Sequence, residues 1–487
     1  MKSTGLRLKL MAATFHVENF GCRAARADGE AMSDRLSSAG LDGQSPAAAD
    51  VVVVNTCSVT AEADRAGRAF IRRAHRLNPQ ARIVVTGCYA QRAPEELAGM
   101  EGVAAVVGNS HKALAPAIIL SLLGRALTQA GSGLVQIGEA QAASAPPQVV
   151  WADDRFAHSF LEEAQVIPGA QTRPNLKIQE GCGNRCTFCV IPQTRGSSRS
   201  LPAARVLKQV EGFVSAGGNE LVLSGINLGR WGRDLSTSAK DASAPRTLAA
   251  LVRQIFARSA LPRLRLSSIE PMDWDAELIG LMAEFGGTRL ARHAHLPLQS
   301  GSDAVLRRMH RRYRPWHYAE KIEALLRAAG PELTLGADVM VGFPSESDAE
   351  FDETLSFVKE LPFGYLHLFP FSPRPGTPGW TLHAERPVPS PAVEERMAVL
   401  RTLAAEKSQA HRKSFVGKEL QAITLHTPAE LSARGRTAAL SENFLPVELE
   451  CRIESNRMVR GRATGMNAEA ALEVREIAAE LVPAATF

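Results

Sequence analysis

Glu180–Pro192 reads EGCGNRCTFCVIP, and the spacing of Cys182, Cys186 and Cys189 within it decides what kind of chain this is. A C-x3-C-x2-C run supplies three thiolates, one fewer than a closed tetrahedral metal site needs. A [4Fe-4S] cubane held by three thiolates keeps one iron without a protein ligand, open to a substrate or cofactor. A zinc knuckle would need a fourth Cys or His close by, and the surrounding sequence has none. The triplet directly follows an apolar strand-like run, Leu176–Gln179. In repeated βα units, reactive groups gather at the carboxyl ends of such strands.

Five more strand candidates follow: Glu220–Ser224, Arg263–Ser268, His293–Leu298, Thr334–Val341 and Tyr365–Phe371. Helical patterns separate them at Ala203–Ser215, Leu248–Ala260, Trp274–Glu284, Ala304–Met309 with Trp316–Ala329, and Ala349–Glu360. Six βα units predict a parallel sheet curled into a partial (βα)6 barrel rather than a closed eightfold one. A long helix, Pro391–Phe415, follows the last strand. After Gly417 come short β-like runs split by polar turns: LQAITLHT, RTAALSEN, FLPVELEC and MVRGRATGMN. They predict a small all-β barrel.

Ahead of the triplet, residues 1–125 read as an open parallel α/β domain. Its strand candidates are Thr14–Asn19, Val51–Asn55, Arg82–Thr86 and Val103–Val107, with a helix over Glu62–Arg76. Three cysteines end three of these runs: Cys22 in NFGCRA, Cys57 in VVNTCSVT and Cys88 in VVTGCYA. Taken singly, each would read as a small buried hydrophobe. Ligand sites of open parallel sheets form outside the strand carboxyl ends, so the shared placement predicts a second three-thiolate cluster. Cys451 stands apart and reads as structural.

The predicted organisation is therefore 1–125, a linker or insert over 126–170, the barrel over 171–416 and the β-barrel over 417–487. The linker contains a stretch rich in Ala, Gly, Ser, Gln and Pro. A chain of 487 residues, 45% hydrophobic and 22% charged, is an ordinary globular protein of several domains. No apolar run reaches the length of a membrane span, and the N-terminus lacks a secretory signal. Seven cysteines grouped by threes are no disulfide framework, which places the chain in a reducing compartment, the cytoplasm. A net charge of +5 permits a polyanionic partner without requiring one.

At this point the chain resembles a known family, the methylthiotransferases, radical S-adenosylmethionine (radical SAM) enzymes with an N-terminal cluster domain, a central radical SAM barrel and a C-terminal TRAM barrel. The resemblance rests on VVNTCSVTAEA, VVTGCYAQ, GCGNRCTFCVIPQTRG, HLPLQSGSDAVLRRMHRRY, GADVMVGFPSESDAEFDET and LHLFPFSPRPGTP, and covers nearly the full length. It implies that Cys182, Cys186 and Cys189 hold a [4Fe-4S] cluster whose open iron chelates S-adenosylmethionine. Cys22, Cys57 and Cys88 would hold a second, auxiliary [4Fe-4S] cluster carrying the sulfur for the product. The motifs most resemble enzymes that add a methylthio group to C2 of N6-threonylcarbamoyladenosine beside the tRNA anticodon. Sister groups act on isopentenyladenosine in tRNA or on an aspartate of a small-subunit ribosomal protein. The implied partners are the tRNA anticodon loop and an electron donor such as flavodoxin or ferredoxin, with no membrane and a monomeric chain. A non-catalytic RNA-binding iron–sulfur protein is the reading from another class. The chain departs from the family near Cys22: in CRAARADGE, Ala25 stands where the pattern expects asparagine.

Further candidates lie at strand ends. Ser224, Gly225 and Asn227 close the second strand (LVLSGINLG), where cofactor contact competes with a tight turn for Gly225. Ser267, Ser268 and Glu270 (SSIEP) close the third, with helix capping as the rival role. Gln299 lies in PLQSG after the fourth, where Ser300 or Ser302 would cap the next helix. Asp338 faces either the barrel interior or the helix layer. The run Arg307, Arg308, His310, Arg311, Arg312 and Arg314, with Tyr313 interleaved, is a candidate phosphate contact, as are Arg460 and Arg462; solvated helix faces are the plainer explanation. His75, His293 and His367 read as core or surface residues rather than ligands.

Overall fold

The computed structural model describes residues 13–124, 150–158, 172–235 and 244–479. The chain forms two compact units, Met1–Ala164 with Gln193–Gly196, and Gln165–Pro192 with Ser197–Phe487. Most of the sequence over 126–170 lies outside the described residues.

The first unit is built on β1 (Thr14–Asn19), β2 (Asp42–Gly43), β3 (Val51–Thr56), β4 (Arg82–Gly87), β5 (Val103–Gly108) and β6 (Val150–Trp151). All pairings are parallel, in the order β2-β1-β3-β4-β5-β6. β3 is buried along its whole length because helices cover both faces, which is why it reads as an unbroken valine run rather than an alternating one. The helix Ala61–Leu77 begins where Thr60 accepts the amide of Ala63, with Glu62 and Asp64 in its first turn and His75 and Arg76 in its last. The strand order reverses between β1 and β3, making the crevice outside their carboxyl ends a topological switch point. Cys22 and Cys57 follow those two strands.

The second unit carries β7 (Asn175–Glu180), β8 (Arg199–Ser200), β9 (Glu220–Gly225), β10 (Arg263–Leu266), β11 (His293–His295), β12 (Thr334–Val341) and β13 (Phe363–Pro370). The ladder runs β10-β9-β7-β8 and β11-β12-β13, and a parallel bridge from Leu264 to Leu290 joins the two parts. Six parallel strands thus form an open arc; among the described residues no pairing closes β13 onto β7. β8 lies antiparallel on the outer edge of β7. β10 and β11 are shorter than the sequence predicts, ending at Leu266 and His295; beyond β11 the pairing with β12 resumes as a bridge from Gln299 to Val339.

Along β12, Leu335, Ala337, Val339 and Val341 are buried. Gly336, Asp338 and Met340 alternate with them on the opposite face, where Tyr365 covers Gly336 so closely that a Cβ would meet its ring. Asp338 therefore faces the interior of the arc.

The same unit ends in a closed barrel of β14 (Glu419–Thr424), β15 (Thr437–Ser441), β16 (Pro446–Leu449), β17 (Met458–Met466) and β18 (Leu472–Ala479), ordered β14-β15-β16-β18-β17. Leu420, Ala422, Leu449, Val459 and Val474 are among its core residues. The turn after β15 docks at the amino ends of the arc. Arg265 donates to the carbonyls of Ser441 (3.1 Å) and Glu442 (3.0 Å), and Phe444 packs 4.5 Å from the His293 ring.

Candidate functional site with two three-thiol groups

Cys182 follows β7 at the mouth of the arc. Gln179 organises this turn from inside: its Nε2 donates to the Gly181 carbonyl (2.7 Å) and its Oε1 accepts the Asn227 amide (2.7 Å). Gly225 lies against Gln179, where a Cβ would come within 2.9 Å of its side chain. Close approach, rather than a tight turn, is thus what asks for glycine. Asn227 also donates to Cys182 Sγ at 3.5 Å.

Arg311 donates to Cys186 Sγ at 3.3 Å, pairs with Glu270 at 2.6 Å and reaches Tyr313 Oη at 3.2 Å. Tyr313 in turn donates to the carbonyls of Pro297 and Leu298. Burial pushes the Cys189 thiol up to about 12, and the neighbouring Cys186 and Cys182 add to it. Burial likewise raises Cys182. Raised in this way, Cys182 and Cys189 stay protonated unless metal takes up their charge, and coordination deprotonates a thiol outright.

The mouth also holds buried polar atoms with no partner among the described residues: Ser224 Oγ, Asn227 Oδ1, Ser267 Oγ and Gln299 Oε1. Their residues are 1%, 3%, 6% and 7% exposed. Orphaned buried polar atoms are costly, and four gathered after three successive strands fit a polar ligand such as the amino acid cofactor. Ser268 beside them is half-buried. The capping roles do not materialise. Ser302 occupies an N-cap position without accepting a helix amide, and Glu270 makes no cap bond either. Ser300 instead bonds to Thr354 at 2.9 Å.

The basic run is largely absorbed into ion pairs. Arg307 and Arg314 both pair with Asp303, Arg308 pairs with Glu350, and Arg311 is buried. Arg312 stays half exposed, 3.9 Å from Asp273. Arg307 and Arg312 nonetheless keep 60% and 52% of their side chains exposed.

In the first unit, Cys22, Cys57 and Cys88 follow three adjacent strands. Gly21 (φ +100°) lies so close to Cys57 that a Cβ would stand 2.5 Å from its Sγ. Gly87 (φ +97°) pairs with Thr56 in the ladder, and a Cβ there would meet the Thr56 carbonyl at 2.2 Å. The glycines let the three cysteine-bearing turns crowd together. Burial pushes Cys57 up to about 12, with Cys88 and Cys22 adding to it and the Val59 amide and Arg195 opposing. Cys88 Sγ accepts from Asn109 Nδ2 (3.4 Å) and from Arg195 Nε (3.2 Å). Asp28, 2% exposed, binds Arg195 at 3.2 Å and Lys112 at 2.6 Å, both fully buried. Thiol-rich and cationic surroundings of this kind suit an anionic thiolate cluster. Ala25, in the place of the expected asparagine, is fully buried, and its carbonyl accepts Asn55 Nδ2 at 2.6 Å. The carboxamide beside a thiol comes from Asn109 instead.

Sequence reasoning missed Gln179, Arg311 and Arg195 as members of these sites. Gln179 carried a signal, a polar residue inside an otherwise apolar strand. Arg311 was concealed within a run of exposed-looking charges.

Residues 176–358 match the family described as the Radical SAM superfamily, and residues 14–108 match one described as uncharacterized protein family UPF0004. The threonylcarbamoyladenosine tRNA methylthiotransferase MtaB of Aquifex aeolicus is 33% identical over 91% of this chain and 98% of its own. The tRNA-2-methylthio-N(6)-dimethylallyladenosine synthase of Erythrobacter litoralis is 33% identical over 85% of this chain and 86% of its own. A solved structure of the radical S-adenosylmethionine methyltransferase TsrM from Kitasatospora setae shares the fold, with a TM-score of 0.50 at 15% identity over 77% of this chain and 78% of that one. The superfamily match makes this a radical SAM enzyme, a class that implies a [4Fe-4S] cluster and S-adenosylmethionine. Within that class the chain belongs to the methylthiotransferase family, and to its MtaB type.

Proposed function

We propose that this chain replaces the C2 hydrogen of N6-threonylcarbamoyladenosine, beside the anticodon of tRNA, with a methylthio group. The observation that carries the reading is the presence of two separate three-thiol groups, each at strand carboxyl ends, on a chain matching an MtaB relative over 91% of its length. Cys182, Cys186 and Cys189 would hold the radical-generating cluster, and Cys22, Cys57 and Cys88 the auxiliary one. When bound, the first cluster with S-adenosylmethionine would supply the 5′-deoxyadenosyl radical that takes hydrogen from the substrate, the second cluster would supply the sulfur, and another molecule of S-adenosylmethionine its methyl group.

The chain's own residues do the positioning. Ser224, Gly225, Asn227, Ser268 and Gln299 line the mouth as contacts for S-adenosylmethionine, with Gln179 fixing the turn that carries Cys182. Arg311 places a positive charge on Cys186, as Arg195 does on Cys88. The division at 1–125, 171–416 and 417–487 assigns these tasks to a cluster domain, a radical SAM domain and a TRAM-like RNA-binding barrel. An electron donor of the flavodoxin or ferredoxin type, a monomeric state and a cytoplasmic location complete the reading. No described helix is long and apolar enough to cross a membrane.

Nucleoside mass spectrometry of total tRNA from cells lacking the protein tests this. Loss of the methylthio form, with its threonylcarbamoyl precursor accumulating, is expected. Its persistence, with loss of the methylthio isopentenyl nucleoside, would transfer the activity to the substrate class of the Erythrobacter relative.

A further inference from the structure

A line of polar side chains crosses the inner face of the second unit's arc, below the cysteine-bearing mouth. His293 Nε2 and His295 Nδ1 both meet Tyr365 Oη, at 2.8 and 2.9 Å. His295 Nε2 and His367 Nδ1 both meet the same oxygen of Asp338, at 3.1 and 3.2 Å. The lower end is closed by Phe444, which packs against the rings of His293 and Tyr365. Exposure rises along the line, from 7% at the His295 side chain through 25% at Asp338 to 60% at His367. The strands are already held by their ladder, so bracing alone does not account for an open end. His367 Nε2 has no partner among the described residues.

The three ligand atoms of His295, Asp338 and His367 lie within 4.8 Å of one another, a spacing that also suits a metal ion. The nitrogen–oxygen separations are nevertheless those of hydrogen bonds, and a proton on each nitrogen satisfies the shared oxygen. Asp338 is held well below the usual carboxylate range; burial opposes this, and the two imidazoles outweigh it. It is thus an anion that fixes His367 with Nδ1–H inward. In its imidazolium form, the ring donates from both nitrogens, inward to Asp338 and outward from Nε2.

We propose that His367, oriented by Asp338, receives the free carboxylate of the substrate's threonylcarbamoyl arm. The proposal rests on the substrate reading above, because that arm is what distinguishes this nucleoside from the apolar isopentenyl one. His367 lies three residues before the end of β13, about 10 Å below the mouth at a strand's rise per residue. That reach is of the same order as an adenine bearing the extended arm, with C2 left at the mouth. A charge-assisted contact of this kind confers acid-over-ester preference, since an ester carbonyl carries no charge and accepts a weaker hydrogen bond.

The test uses two anticodon stem-loops, one bearing threonylcarbamoyladenosine and one bearing its methyl ester, with reconstituted full-length enzyme. The wild type should prefer the acid by roughly 10- to 100-fold in kcat/KM. His367→Asn should lose a similar factor with the acid, chiefly through KM, and leave the ester within about threefold. His367→Lys, which restores a cation, should recover part of the preference. Iron content and substrate-independent cleavage of S-adenosylmethionine should be unchanged, which separates a contact role from a structural one. Equal loss on both substrates, or a wild type indifferent to the ester, overturns the proposal. A wild type that modifies neither stem-loop overturns the substrate reading itself, and this proposal with it.

Discussion

Replacing Glu220 by Gln should strongly destabilise the second unit. Glu220 opens β9 at the floor of the arc and is fully buried. Its Oε1 accepts from Arg173 at 2.7 Å and Arg265 at 2.8 Å, and Arg263 lies 3.5 Å from Oε2. Arg263 and Arg265 are themselves 1% and 0% exposed, so neither can turn to water when the anion goes. Burial alone would raise this carboxyl, yet the three guanidiniums hold it far below the usual carboxylate range. Removing one partner of a buried ion pair costs about 3–5 kcal/mol, because the remaining charge is left uncompensated. Arg173 retains some solvent contact and Arg265 keeps its bonds to the Ser441 and Glu442 carbonyls, which holds the expected loss within that range. With a urea slope near 3 kcal/mol/M, the midpoint should fall by roughly 1–1.7 M at unchanged slope. Urea unfolding of the apoprotein, followed by tryptophan fluorescence, is the assay. Glu284→Gln is the control, since Glu284 and its partner Arg253 are each about half exposed; its effect should stay below about 1 kcal/mol. Equal midpoint shifts for the two variants would refute the reasoning.

Three further outcomes are expected. His411 bonds to Thr334 at 2.8 Å, and burial, aided by Lys418 and Arg412, lowers it to about 4. A base lowered on folding contributes stability above its ordinary value near 6.5 and loses it as pH falls toward 4. Relative to His411→Gln, the wild type should therefore weaken by up to about 1.4 kcal/mol per pH unit across that window, read from urea midpoints. Gly87→Ala places a Cβ against the Thr56 carbonyl at a left-handed φ; iron content should drop by about half while substrate-independent cleavage of S-adenosylmethionine persists. Asp28→Asn leaves Lys112 and Arg195 buried without their anion, and urea unfolding of the first unit's signal should show a loss of about 3–5 kcal/mol.

How much the sequence revealed depended on whether a signal was local. Valine runs and strand-ending cysteines are local, so β1, β3, β4 and β5 and their three thiols could be read directly, as could the six strands of the arc. The helix Arg23–Ser38 was not foreseen, because its buried face is made largely of alanine, glycine and one aspartate rather than large apolar residues. Long-range pairings were also invisible. Arg311 looked like one of several exposed arginines, and only the fold brings Glu270 and Cys186 to it. Glu442 and Phe444 sat within the β-like runs RTAALSEN and FLPVELEC, yet the turn they form supplies partners for Arg265, Arg292 and His293. Asp338 sat in a recognised motif, but its two histidines come from other strands.

The proposed function requires two separate clusters, each held by three cysteines of its own. Iron and sulfide analysis of anaerobically reconstituted protein, in the wild type and in two triple Cys→Ala variants, tests it most directly. About eight irons are expected in the wild type and about four in each variant. Only the variant lacking Cys22, Cys57 and Cys88 should still cleave S-adenosylmethionine. A wild type with about four irons, unaffected by removing Cys22, Cys57 and Cys88, would contradict the account.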